Sequence, residues 1–132
     1  MQAPPGKKFI LRERMHSFRF AIKGIATVIS TQHNFRIHLF ALIAVIAAAW
    51  LFRISTAEWC IVLLASALVL SLEIINTAFE FLVDIVSPQY HEKAGRIKDL
   101  SAAAVLVASI IAAIAGILIF GKYILALFNT SS

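Results

Sequence analysis

The sequence predicts an all-α membrane protein with three transmembrane helices, preceded by one amphipathic surface helix. Hydrophobic residues make up 61% of the 132-residue chain, whereas soluble domains contain roughly 45–50%. The apolar residues fall into three long runs separated by short polar segments. Inside a bilayer only helices and closed barrels satisfy their backbone hydrogen bonds, and runs of about 20 apolar residues have the length of helical spans.

The N-terminal segment, about residues 7–32, is expected to be a basic helix lying in the membrane interface. Phenylalanine and isoleucine mix there with cationic residues that include Arg14, Arg19 and Lys23. An apolar face combined with many Lys and Arg residues is typical of interfacial helices. The alternative is an ordinary cytoplasmic helix packed against the bundle.

The spans follow at about residues 35–52, 57–86 and 100–128, so the 132 residues are expected to form one domain. Pro88 ends the second span because proline disfavours a helical conformation in the residue before it. Residues 87–98 are interpreted as a polar connection to the third span.

Details of the spans support this division. Trp50 and Trp59 flank the first turn, where amphipathic aromatic rings meet the membrane–water boundary. Thr56 is a candidate N-cap of the second span. The third span carries small residues at every fourth position, which allow another helix to approach closely: Ala104, Ala108, Ala112 and Gly116.

The distribution of basic residues predicts the orientation. Ten of the 12 Lys and Arg residues lie in residues 1–36 and 87–98, and cytoplasmic segments carry such an excess. The N-terminus and the second connection are therefore expected in the cytoplasm. Contact with anionic lipids or phosphates explains the charge better than nucleic acid does, because the basic residues flank apolar spans. Cys60 is the single cysteine, so an intrachain disulfide is excluded. The polar N-terminus shows no cleavable signal.

Four polar residues form a stripe on the second span: Glu73, Asn76, Glu80 and Asp84. Their spacings of three, four and four place them on one helix face. Because a charged side chain at the bilayer centre costs roughly 2.5–3.5 kcal/mol on insertion scales, the stripe must face protein, water, metal or substrate. It occupies the cytoplasmic third of the span. We call it the acidic stripe and take it as the candidate site.

The residue types of the stripe suit divalent cations and phosphates. Oxygen ligands favour Mg²⁺, which binds through one or two carboxylates together with substrate phosphates. Lys98 and Arg96 could neutralise phosphoryl oxygens, and Glu73 could accept a proton from a hydroxyl. No standard nucleotide-binding or protein-kinase motif is present. Taken alone, the residues indicate an acidic site at the inner leaflet.

Plainer interpretations exist for several of these polar residues. Asp84 could simply pair with a neighbouring arginine, and Asn76 could form only an interhelical hydrogen bond. His91 could be a solvated loop residue, and Asp99 could cap the third span.

A family resemblance adds to the residue-level analysis. The run Glu73-Ile-Ile-Asn76-Thr77-Ala78-Phe79-Glu80, followed by Asp84, His91 and Gly95-Arg-Ile-Lys98-Asp99, resembles the signature of the small prokaryotic diacylglycerol kinase/undecaprenol kinase family. The likeness covers nearly the whole chain, including Asn34-Phe35-Arg36-Ile37-His38-Leu39.

The resemblance implies a homotrimer in the inner (plasma) membrane, with its active site facing the cytoplasm. It implies transfer of the ATP γ-phosphate to a lipid hydroxyl with Mg²⁺. By position, Glu73 would be the general base, Asn76 would order the site, and Glu80 would bind the metal at the nucleotide. The nucleotide pocket would be lined by Asp84, His91, Lys98 and Asp99. Phosphates would also contact Arg14, Arg19 and Lys23.

One position departs from the family pattern. Many members carry a metal-binding glutamate two residues before the Asn-Phe-Arg segment, where this chain has Gln32. A carboxamide offers an oxygen without a charge, so either metal affinity is weaker or another group completes the coordination. The segment from Asn34 to His38 is more similar to the undecaprenol kinase branch, which favours undecaprenol as the acceptor, with diacylglycerol as the alternative.

Two further classes of function compete with a lipid kinase. An ion-coupled transporter would use Glu73 and Glu80, but the first and third spans carry almost no polar groups and disfavour a path across the membrane. A non-catalytic assembly subunit would have kept the fold and lost activity, and Gln32 motivates that reading.

Overall fold

The computed structural model describes residues 11–89 and 91–129, with the side chains of residues 11–15 outside the described part. It contains four helices: α1 (Leu11–Thr31), α2 (His33–Phe52), α3 (Thr56–Val86) and α4 (Glu92–Asn129). No strand occurs within the described residues. Helices α2, α3 and α4 are long and apolar enough to cross a membrane. The predicted all-α membrane fold with three spanning helices is confirmed.

Helix lengths agree with spans that project beyond the hydrocarbon core. The 31 residues of α3 and the 38 of α4 correspond to about 46 Å and 57 Å at 1.5 Å per residue, whereas the core is about 30 Å thick. One end of each helix therefore has room to lie among headgroups and water.

The predicted polar connection 87–98 is wrong beyond His91, because α4 begins at Glu92. The polar residues there form a solvated first part of the helix. An i,i+4 ion pair supports it, in which Arg96 Nη2 lies 2.6 Å from Glu92 Oε1, and such pairs stabilise exposed helices. Asp99 accordingly lies inside α4 and is not its cap.

A short turn joins α2 to α3. Arg53 ends α2 in the left-handed region with a φ of 51°, and the backbone N–H of Ile54 donates to the carbonyl of Ala49 at 3.3 Å. The prediction that Thr56 caps α3 is wrong by one residue, because the N-cap is Ser55. Ser55 has extended backbone angles and forms a capping box with Glu58.

Packing holds the helices in a fixed order. Helix α3 packs chiefly on α4 and next on α2, and α1 touches α2 and α3. A small buried cluster closes the turn end of the bundle: Ala49, Ile54, Val62 and Ile119. At the other end of α2, Gln32 adopts an extended conformation and separates α1 from α2. The predicted surface helix thus corresponds to α1, with residues 7–10 outside the described part.

Candidate active site

The acidic stripe runs from the interior of the helix packing to the protein surface. The side chain of Glu73 is 4% exposed and that of Asp84 is 63% exposed. Between them Asn76 is buried and Glu80 is half-buried. One helix face therefore connects a buried carboxylate to an exposed one three turns away.

Amide and hydroxyl groups from α3, from α4 and from the link between α1 and α2 converge on the middle of the stripe. Asn76 Nδ2 donates to Glu80 Oε1 at 3.1 Å, and Gln32 Nε2 donates to Glu80 Oε2 at 3.4 Å. Ser101 Oγ, on α4, donates to Asn76 Oδ1 at 2.6 Å. Asn76 is thus fixed from both sides, and its own amide holds Glu80.

Glu73 lies in a different environment. His38 Nε2, on α2, is 3.5 Å from Glu73 Oε1, and Thr77 donates to the backbone carbonyl of Glu73 rather than to its carboxylate. Among the described residues, His38 is the one side chain within ion-pair distance of this carboxylate, and no side chain donates a hydrogen bond of normal geometry to it. A buried carboxylate with so few partners is unusual, because buried charges are normally paired and hydrogen bonded.

Asp84 begins the exposed end of the site. Its carboxylate pairs with Lys98 Nζ, on α4, at 2.5 Å. The two side chains line a cavity of about 200 Å³ together with His91, Ser87 and Gln89. The family resemblance implies Asp84, His91, Lys98 and Asp99 in one pocket, and the fold brings the first three together.

Three other predicted nucleotide contacts, Asp99, Arg19 and Lys23, do not line this cavity. Asp99 is exposed on α4 and does not line the cavity. Arg19 and Lys23 are exposed on α1 and form no ion pair with any described residue. The side chain of Arg14 lies outside the described residues.

The residues around Glu80 fit a cation that is shared with substrate phosphates. Within the described part of the chain, no group of three or more His, Cys, Asp or Glu side chains could hold a metal ion. Glu80 supplies one carboxylate. Gln32 could supply an amide oxygen if its terminal amide rotates, because its Nε2 now faces Glu80. This small set matches Mg²⁺, which is commonly bound by one or two carboxylates plus phosphates and waters.

Sequence reasoning did not assign His38 and Ser101 to the site. Each is a polar residue at the edge of an apolar run, and that signal was visible for both. Their partners lie 35 and 25 residues away in the chain, so only the packing of α2 and α4 against α3 shows which polar groups they meet.

An apolar cavity of about 280 Å³ lies between α2, α3 and α4 and reaches His38. Most of its lining is aliphatic or alanine, with Ser66 and Ser109 as the other polar members. The Ser109 hydroxyl donates to the carbonyl of Val105, one turn earlier. The cavity can therefore hold a hydrocarbon chain beside the buried end of the stripe.

A second polar group lies at the turn end of the bundle, and we call it the Glu58 cluster: Ser55, Glu58, Lys122 and Tyr123. Glu58 Oε2 accepts from the Ser55 backbone N–H at 2.8 Å, from Ser55 Oγ at 2.9 Å and from Tyr123 OH at 2.8 Å. Its other oxygen pairs with Lys122. The cluster joins the start of α3 to the end of α4.

Comparisons with known proteins identify the family of this chain. A family model described as prokaryotic diacylglycerol kinase matches residues 19–120. A diacylglycerol kinase of Synechocystis is 43% identical over 121 residues, covering 85% of this chain and 69% of that protein. The undecaprenol kinase of Bacillus subtilis is 39% identical over 104 residues, covering 79% and 85%. A diacylglycerol kinase of Escherichia coli is 41% identical over 73 residues, covering 55% and 59%.

Proposed function

Because the chain belongs to the prokaryotic diacylglycerol kinase family and is a membrane lipid kinase, we propose that it transfers the γ-phosphoryl group of ATP to the hydroxyl of undecaprenol. One observation carries the proposal: the acidic stripe links the buried carboxylate of Glu73 to the exposed pair of Asp84 and Lys98. The buried end suits a membrane alcohol, and the exposed end suits a nucleotide.

Glu73 is the general base in this proposal. Its carboxylate takes the hydroxyl proton while the lipid oxygen forms a bond to the γ-phosphorus, the bond between that phosphorus and the bridging oxygen breaks, and ADP leaves. The proton acceptor must be free to bind the hydroxyl. Glu73 satisfies this requirement because His38, its one ion-pair partner among the described residues, is 3.5 Å away and contacts a single carboxylate oxygen.

The nucleotide is proposed to bind from the middle of the stripe outward. Glu80, held by Asn76 and Gln32, would bind Mg²⁺, with Gln32 contributing its amide oxygen. The ion would neutralise charge on the phosphates. Asp84, His91, Lys98 and Asp99 are the proposed pocket residues, and Lys98 would exchange Asp84 for a phosphate oxygen. Arg14, Arg19 and Lys23 remain proposed phosphate contacts.

The membrane arrangement is also part of the proposal. The excess of Lys and Arg in residues 1–36 and 87–98 supports a cytoplasmic N-terminus and a cytoplasmic active site in the inner membrane. The single domain would carry α1 on the membrane surface. The family resemblance supports a homotrimer, in which lipid and neighbouring subunits would cover the exposed apolar side chains of α2, α3 and α4.

The acceptor lipid separates two versions of the proposal. Undecaprenol is a hydrocarbon chain with one hydroxyl, which suits the apolar cavity beside His38. Diacylglycerol is the alternative, and it is favoured by the 43% identity to the Synechocystis diacylglycerol kinase.

The test is a kinase assay with purified protein in mixed micelles, labelled ATP and Mg²⁺. Undecaprenol and diacylglycerol are supplied separately at equal mole fraction. We expect phosphorylation of both to be measurable and kcat/KM to be higher for undecaprenol. A higher kcat/KM for diacylglycerol would reverse the choice of acceptor, and no transfer to either would reject the lipid kinase activity.

The same assay bears on the competing classes. A non-catalytic assembly subunit would leave both lipids unmodified. An ion-coupled transporter would need polar groups across the membrane. Between Glu58 and Glu73, however, α3 carries no charged residue, and its groups able to hydrogen bond are few: Trp59, Cys60, Ser66 and Ser71.

A further inference from the structure

His38 is placed in α2 where its imidazole needs a polar partner. Ile37, Leu39 and Phe40 flank it, and its own side chain is 24% exposed. A polar ring in apolar surroundings costs free energy unless it is hydrogen bonded. Among the described residues, its polar neighbour is the Glu73 carboxylate, 3.5 Å from Nε2.

The Glu73 carboxylate depends on the same contact. Glu80, two turns further along α3, is held through both oxygens by amide groups. Glu73 has no such pair of donors among the described residues. Among the described residues, His38 is therefore the one side chain placed to orient the two Glu73 oxygens through a polar contact.

His38 also forms part of the boundary between the carboxylate and the apolar cavity. A hydrocarbon chain in that cavity would bring its polar end to the imidazole and the carboxylate together. Holding one carboxylate oxygen at the imidazole leaves the other free to meet an incoming hydroxyl.

We propose that His38 is a positioning residue for the phosphoryl transfer, with its Nε2–H fixing Glu73 Oε1 so that Oε2 receives the hydroxyl proton of a single-chain membrane alcohol. This inference rests on the proposed function of Glu73 as the base. His38 takes no proton in the step. Its contribution is geometric, and misplacing a reacting group by about 1 Å can lower the rate about 100-fold.

The test compares two substitutions at one position. His38→Leu removes the donor and keeps an apolar side chain, while His38→Gln keeps an N–H donor at similar reach and cannot ionise. We expect kcat for the lipid to fall about 10- to 100-fold in His38→Leu and to return to within about threefold in His38→Gln, with KM for ATP unchanged in both. The exposed His33→Leu, on the same helix, is the matched control.

The outcomes are separable. Wild-type kcat in His38→Leu, or equal losses in the Leu and Gln variants, would overturn the positioning role while the kinase activity stands. A wild-type protein that phosphorylates no lipid would overturn the proposed function, and the positioning role with it.

A second measurement reads the contact without turnover. In ¹⁵N-labelled protein in micelles, Glu73→Gln should shift the imidazole resonance of His38 and leave that of His33 in place, because only His38 neighbours Glu73. An unchanged His38 resonance would contradict the pairing whether or not the protein is active.

Discussion

Two carboxylates on α3 lie in opposite surroundings. Glu58 accepts three hydrogen bonds on one oxygen and pairs with Lys122 on the other. Glu73 is 3.5 Å from one imidazole. A carboxylate whose lone pairs are already occupied can only hold the structure together, whereas one with free lone pairs can bind a substrate proton. Acidic residues in a membrane helix are therefore best distinguished by counting their partners.

The largest expected effect comes from replacing each of the two carboxylates by glutamine in a separate variant. Glu73→Gln should lower kcat about 10²- to 10⁴-fold, the usual contribution of a general base. Glu58→Gln should leave kcat within about twofold and lower the thermal unfolding temperature, because its partners lose a charged acceptor. Kinase assays and thermal unfolding in micelles measure both. Comparable loss of kcat in the two variants would erase the distinction.

The next effect concerns how each carboxylate is neutralised. Glu58 has the ammonium of Lys122, whereas Glu80 has two neutral amides. Gln32→Glu would place a second carboxylate beside Glu80, so we expect the Mg²⁺ concentration for half-maximal activity to fall about tenfold, in line with the effect of altering one group around a metal site.

A Mg²⁺ titration of the activity measures this change. Ser30→Glu, at an exposed position of α1, is the control for added charge. An unchanged Mg²⁺ requirement in Gln32→Glu would remove Gln32 from the metal site.

Two serines, one in the acidic stripe's surroundings and one in the Glu58 cluster, are expected to show smaller effects of the same two kinds. Ser101→Ala removes the 2.6 Å hydrogen bond to Asn76 and should lower kcat about 3- to 10-fold, corresponding to a net hydrogen bond of about 1 kcal/mol. Ser55→Ala removes the N-cap of α3 and should cost about 1 kcal/mol of stability with kcat unchanged. Reversed effects, with Ser55 affecting turnover and Ser101 only stability, would contradict the assignment of the two regions.

The smallest effect is expected at the turn beside the Glu58 cluster. Arg53 has a φ of 51°, a conformation that costs a side-chain-bearing residue about 1–2 kcal/mol. Arg53→Gly removes that cost but adds about 0.5–1 kcal/mol of chain entropy. Denaturant unfolding should therefore show a free-energy gain between zero and about 1.5 kcal/mol, and kcat should not change. A marked loss of stability would show that the Arg53 side chain itself is needed.

The sequence was sufficient to predict the three spanning helices, because a long apolar run inside a bilayer has few conformations other than a helix that satisfy its backbone hydrogen bonds. It was less reliable where helices project into water. The polarity of residues 92–98 predicts a connection. In the structure these residues form the solvated first part of α4, which the ion pair of Glu92 and Arg96 supports. The cap was placed on Thr56 rather than Ser55 because both residue types cap helices.

For the site, the sequence supplied the stripe but not its neighbours. Glu73, Asn76 and Glu80 share a face of one helix, so their spacing was enough to group them. His38 and Ser101 come from other helices, and their contacts depend on how far α2 and α4 slide along α3. Glu58 was overlooked because a single acidic residue beside a turn resembles an ordinary solvated one.

The three-residue connection from Arg53 to Ser55 sets the axial register of α2 against α3 in the hairpin that these helices form. His38 lies 14 residues before the end of α2 at Phe52 and Glu73 lies 17 after the start of α3 at Thr56, which is about 21 Å and 26 Å along the two helix axes. Inserting one residue into the connection would change the axial register of the hairpin. The imidazole and the carboxylate would then miss each other, although no atom near them had been altered.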